Sequence, residues 1–155
     1  MPGELSLARR NTVRALIVLL LATSFLFATQ PPPAEAGIRT AERRMAQMIN
    51  RARAARGLPK LALRSDLTYR ARTHSVRMAR SGGIYHSNLR TTLRGISWRV
   101  AGENVGVGPS IRTLHTAFMR SSGHRANILY RRYRNVGVGV KWRSGVAWVT
   151  VIFTG

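Results

Sequence analysis

Few side chains in this sequence can do chemistry. Beyond residue 36 the chain holds four histidines (His74, His86, His115, His124), three acids (Glu42, Asp66, Glu103) and no cysteine. Two neutral imidazoles and a carboxylate, with a position left for water, make a zinc set, and His86, Glu103 and His124 supply those types. Their separations of 17 and 21 residues match no local metal motif. On residue types and spacing alone they read as two polar surface histidines and an exposed glutamate. Glu103 is the last acid in the chain, so none follows it to complete a serine-histidine-acid relay with Ser121 or Ser122. Gly106-Val107-Gly108 ahead of a helix could cradle an anion on free N–H groups, although a plain turn is the better reading.

The elements that must position these residues follow from periodicity. Between Ile38 and Arg56, apolar Met45, Met48, Ile49 and Ala52 recur at helical spacing, and Gly57 ends the segment. Ser65 reads as the N-cap of a second helix over Asp66–Arg80, with Leu67, Ala71, His74 and Met78 on one stripe and Ser81-Gly82-Gly83 as its stop. His74 is therefore expected to be a hydrogen-bonded core residue, and His115 is given no role. Ile84-Tyr85-His86 reads as extended. Pro109 and Ser110 start a third helix with Ile111, Leu114 and Phe118 inward, Ser122-Gly123-His124 breaks it, and a short turn of helix runs to Leu129. Val136, Val138, Val140 and Trp142 alternate with Gly137, Gly139 and Lys141 as in a half-buried strand, and the two glycines leave one face bare for close approach. Arg143-Ser144-Gly145 suits a three-residue hairpin loop, and the apolar run Val146–Phe153 should be a central strand. The fold class is α+β, with helices packed on a small, mostly antiparallel sheet.

The N-terminus reads as an export signal. Arg9, Arg10 and Arg14 precede a 14-residue apolar run, Ala15–Ala28, too short to cross a bilayer comfortably. Pro31-Pro32-Pro33 and the small-x-small site Ala34-Glu35-Ala36 follow, so residues 1–36 are expected to be removed, leaving 37–155 as one domain with no transmembrane segment. The competing reading is an uncleaved anchor. Without cysteine, neither disulfides nor a lipoprotein anchor is available. The 119 residues of that domain carry 23 basic and 3 acidic side chains, and only two of the basic ones are lysine. Such a field draws polyanions.

Four ordered segments resemble the CAP superfamily of cysteine-rich secretory, antigen five and pathogenesis-related proteins. They are Asn50-Arg51-Ala52-Arg53 before Gly57-Leu58, Ala71–Ala79, Gly102-Glu103-Asn104-Val105 and Ser121–Leu129, and the hairpin from Asn135 to Phe153 completes the match. The similarity is greatest to the cysteine-free bacterial branch. It implies an α-β-α sandwich whose cleft is lined by two histidines and two acids. His86 matches the first histidine, Glu103 one acid and His124 the second histidine. The second acid aligns with Ser121, which weakens paired-carboxylate chemistry.

The resemblance implies an exported, envelope or extracellular protein binding an anionic or amphipathic ligand through a basic surface and the cleft of His86, Glu103, Ser121 and His124. Acidic envelope polymers or anionic lipids are the expected partners. An enzyme is the less favoured class: a metal-assisted hydrolase with Glu103 as base beside zinc or another divalent ion on His86 and His124. A non-specific polyanion binder is the third. Scattered arginines without an aromatic stacking pattern argue against specific nucleic-acid recognition.

Overall fold

The computed structural model describes residues 33–155. The signal reading of residues 1–36 falls almost wholly outside them. Helix α1 (Pro33–Ala54) begins five residues before the expected start. Proline suits a first helical turn because its missing N–H would be unsatisfied there, and Glu35 lies in the same turn, where the helix dipole favours an acid. Strand β1 (Ala62–Leu63) follows, then helix α2 (Ser65–Ser81) and the four-residue helix α3 (Leu89–Thr92). Strand β2 (Ala101–Gly108), helices α4 (Ile111–Arg120) and α5 (Ser122–Leu129), and the hairpin β3 (Asn135–Arg143) and β4 (Val146–Thr154) complete the order.

The strands form one sheet in the order β1-β3-β4-β2. β4 lies inside, antiparallel to both neighbours, and only β1 runs parallel to β3. The fold is therefore the expected mixed α+β sandwich. On one face Val136, Val138, Val140, Val149, Val151 and Phe153 pack with Met45 and Ile49 of α1, Leu114 and Phe118 of α4, and Ile128 of α5. The other face takes α2, whose backbone lies flush against β3. A Cβ at Gly137 would stand 2.3 Å from the Leu67 carbonyl carbon, and one at Gly139 would stand 2.1 Å from that of Ala71. Buried Ser75 fastens the contact by donating to the Gly139 carbonyl, with its oxygen 2.9 Å from the Thr150 hydroxyl.

Several local expectations need correction. The α2 N-cap is Arg64, not Ser65, and Asp66 serves the helix start by accepting from the Leu67 N–H and pairing with the Arg64 guanidinium. The hairpin loop has two residues, not three: Arg143 pairs with Val146, and Ser144 and Gly145 both take left-handed conformations, with φ of 49° and 75°. Those signs match the twist of the flanking strands. Gly106 and Gly108 form neither a turn nor an anion cradle. They are strand positions paired with Val149 and Ala147, bare so that Leu114 and Phe118 can pack closely. The break between α4 and α5 is Ser121, which leaves His124 inside the first turn of α5. Ile84-Tyr85-His86 belongs to no helix or sheet strand.

Candidate functional site

The site is organised by two consecutive residues of β2. Side chains alternate across a strand, so Glu103 and Asn104 leave the sheet on opposite faces. Glu103, opposite Ile152, faces the α2 side, and Asn104, opposite Val151, faces the α4–α5 side. Each reaches a segment that carries one histidine.

On the first side, the segment after α2 wraps around the Glu103 carboxylate. His86 Nδ1 lies 2.8 Å from Oε1, the Ser87 N–H donates to the same oxygen at 2.9 Å, and the Ser87 hydroxyl donates to Oε2 at 2.7 Å. Glu103 is only 6% exposed. Its oxygens are committed to this loop. Because a carboxylate only accepts, His86 must donate from Nδ1, which leaves Nε2 as the functional nitrogen. The His86 side chain is 62% exposed. Exposed Ile84 and Tyr85 immediately precede it.

On the second side, Asn104 donates to the His124 carbonyl at 3.0 Å. Asn127, one turn further along α5, donates to the Glu103 carbonyl and to the Asn104 side-chain oxygen. These bonds clamp α5 to β2. His124 packs its ring on Phe118, with centroids 5.0 Å apart, and its Nδ1 lies 2.9 Å from the Ser121 hydroxyl. A hydroxyl both donates and accepts, so Ser121 can satisfy either tautomer of His124. Burial lowers the His124 pKa below the ordinary imidazole value, and repulsion from His86 acts in the same direction.

His86 and Glu103 are therefore in direct contact, His124 and Ser121 form a second pair, and β2 links them. Among the described residues no group of three or more His, Cys, Asp or Glu side chains is arranged to hold a metal ion. His74 lies outside this site. It is a buried core residue, with Nε2 donating to the Tyr85 carbonyl at 2.8 Å. Ser87, Asn104 and Asn127 carry the site but had no assigned role in the sequence reading. Asn104 and Asn127 stand in two of the matched segments, and that position was their only signal.

Residues 46–153 match the CAP cysteine-rich secretory protein family. The chain belongs to this family. It is 30% identical over 115 residues to the uncharacterized protein YkwD of Bacillus subtilis (strain 168), which covers 69% of this chain and 44% of YkwD. Among solved structures it is similar to an extracellular protein containing an SCP domain from Bacillus anthracis (TM-score 0.72, 22% identity, covering 82% of this chain and 45% of that one). It is also similar to an outer surface protein of Borrelia burgdorferi (TM-score 0.66, 14% identity, covering 72% and 90%). This CAP chain thus spans under half the length of YkwD and of the Bacillus anthracis protein. Its neighbours are described as extracellular or outer-surface proteins, and none of its described helices is long and apolar enough to cross a membrane.

Two histidines give the domain an acid limb. Burial lowers the His115 pKa, opposed by the backbone of Met48, and His124 is lowered for the reasons above. Above pH ~6.5 both are neutral, folded or unfolded. As pH falls through that value the unfolded chain takes up protons first, so stability falls with pH until the lower folded-state values are passed. Thermal unfolding should therefore occur at a lower temperature at pH 5 than at pH 7.5, with the difference reduced in His115→Gln/His124→Gln. A midpoint that held steady or rose toward pH 5 would contradict this. Asp66, whose pKa is lowered chiefly by its hydrogen bond from Arg64, adds a separate loss at more acidic pH.

Proposed function

We propose that this CAP domain is an exported binding protein that takes an anionic or amphipathic envelope ligand at the histidine cleft, with a cationic surface concentrating that ligand. The observation that carries this reading is the orientation of His86: bound to Glu103 through Nδ1, it presents Nε2 on an exposed ring beside Ile84 and Tyr85. The apolar neighbours suit the chain of an amphipath, and the imidazoles suit its polar head.

The surface supports the same conclusion. The three acids beyond residue 36 are all committed: Glu42 is buried against Arg72, Asp66 pairs with Arg64, and Glu103 holds His86. Most of the described arginines are exposed and pair with none of these three carboxylates. Attraction of this kind is screened over about 10 Å at 0.1 M salt.

A divalent ion fits the site in part. His86 and His124 would hold it through Nε2, and Glu103 would act as the outer partner that fixes a metal-bound imidazole. When bound, zinc would supply a Lewis-acidic centre for an anionic head group or a water. With two protein ligands, affinity is expected to be modest. The engaged oxygens of Glu103 favour a positioning role over that of general base, so the hydrolase reading stays secondary.

The test is zinc titration by calorimetry, with anionic-vesicle binding measured alongside over a salt series. His86→Ala or His124→Ala should abolish zinc binding, whereas Glu103→Gln should weaken it about 10- to 100-fold. His74→Gln and His115→Ala should leave it intact. Zinc affinity should fall with pH as protons compete for the imidazoles. Vesicle binding should decline steeply with salt, leaving a residue that depends on the two cleft histidines. Vesicle binding indifferent to both salt and the histidines would overturn the proposal.

A further inference from the structure

Lined by none of the cleft residues, a groove of about 310 Å³ lies between α2 and α3, near the lower limit of small-ligand sites. Tyr69, Thr73 and Arg77 recur every four residues and so share one face of α2. They line the groove with Arg70, His74 and Thr91. Among the described residues no acid borders it.

Its chemistry is specific in three respects. Tyr69 is 67% exposed, an unusual state for a large ring on a folded domain, and it offers a flat apolar face at the groove. The two guanidiniums are free to recruit an anion. Arg77 has no hydrogen-bond or ion-pair partner among the described residues, and Arg70 makes only a 3.4 Å contact with the Arg94 carbonyl. At the lining, His74 is 2% exposed and spends Nε2–H on the Tyr85 carbonyl. Its Nδ1 has no hydrogen-bond partner among the described residues. In a neutral ring that nitrogen is an acceptor, and the Thr73 hydroxyl, which donates to the Tyr69 carbonyl, keeps its lone pairs.

An aromatic face, two cationic forks and two acceptors at the lining together match a ligand with an apolar ring face, acidic groups and hydroxyl donors. We infer that the α2–α3 groove is a second binding site, for an acidic glycan. The ring of a sugar would lie on Tyr69, its carboxylate or phosphate would meet Arg70 and Arg77, and a hydroxyl would donate to His74 Nδ1. A bare polyanion has no group for Tyr69 or for the His74 acceptor, so the groove discriminates by more than charge. The inference shares with the proposed function the premise of an envelope-facing protein, but it does not depend on the histidine cleft.

The test measures binding of the purified full-length protein to a galacturonate hexamer, a phosphomannan oligosaccharide and inorganic polyphosphate. Tyr69→Ala should weaken binding of an acidic glycan about tenfold and leave polyphosphate within twofold. Arg70→Gln/Arg77→Gln should weaken it tenfold or more. Arg131→Gln/Arg132→Gln removes the same charge from exposed positions outside the groove and should cost less than threefold. Comparing the two glycans shows whether the forks prefer carboxylate or phosphate. Equal losses for the two arginine pairs, no effect of Tyr69→Ala, or a single-stranded oligonucleotide binding more tightly than either glycan would each overturn the inference. His86→Ala/His124→Ala should leave glycan binding unchanged. A loss there would move the ligand to the cleft and remove the second site, whereas loss of zinc and vesicle binding with glycan binding retained would count against the proposed function alone.

Discussion

Replacing Gly139 with alanine should destabilise the domain by about 3 kcal/mol or more, at the upper end of what overpacking costs. The added methyl would stand 2.1 Å from both the Ala71 carbonyl carbon and the Arg72 nitrogen. Those are backbone atoms of a helix, unable to swing aside as a side-chain tip would. Relief requires α2 to lift from β3, which would loosen the Ser75 bonds to the Gly139 carbonyl and the Thr150 hydroxyl. Gly123→Ala is the matched control. It lies in the first turn of α5 with nothing within 4 Å of the added atom, so alanine's helix preference should make it neutral or stabilising by roughly 0.5 kcal/mol. Urea unfolding of the two variants checks the contrast. Equal midpoints would show that the helix can retreat at little cost.

Arg53→Met should cost a similar amount, about 3 kcal/mol, for a different reason. Arg53 is fully buried, and among the described residues its hydrogen-bond partners are all carbonyls. Its Nε donates to the Pro59 carbonyl, and NH1 donates to those of Ile128 and Tyr130, all at 2.9 Å. Burial lowers its pKa, and repulsion from Arg134 adds to the effect. The last two acceptors lie at the C-terminal end of α5, where carbonyls lack helical partners and the dipole favours a cation. Methionine would fill much of the volume but remove the donor from the Pro59 and Ile128 oxygens, and leave the Tyr130 oxygen only the Tyr133 N–H at 3.4 Å. Arg53→Lys keeps the charge but not the fork that spans three acceptors, so it should recover only part of the loss. If lysine proved fully equivalent in a denaturant titration, charge rather than geometry would be the important property.

Much of this was legible in the sequence wherever a repeating pattern reported burial. The valine-glycine alternation announced both the hairpin and the close approach of α2, because a run of bare positions on one strand face has few other uses. The third helix was read from Ile111, Leu114 and Phe118 and from Ser110, whose oxygen does accept from the Thr113 N–H. Two-residue β1 and four-residue α3 are too short to show any period, and their existence depends on distant partners. The α1 start escaped because the proline run reads as a breaker, although one proline suits a first turn. At the site, His86, Glu103 and His124 could be named from a motif order alone. The clamp made by Ser87, Asn104 and Asn127 could not, since its hydrogen bonds join residues 16 to 24 positions apart and leave no periodic trace.

The adjacency of Glu103 and Asn104 has a consequence for how such a site can vary. The histidine segments are held from the two faces of the edge strand β2, and a strand turns neighbouring side chains to opposite faces. An acid and an amide separated by one residue would face the same side and hold one histidine at most. A one-residue slip of β2 against β4 would turn each toward the wrong layer and disconnect both at once. The dipeptide thus works as a rivet through the sheet. Substitution can change its strength, but a single-residue insertion or deletion within β2 that shifts this pair should abolish the site while leaving every one of its side chains in the sequence.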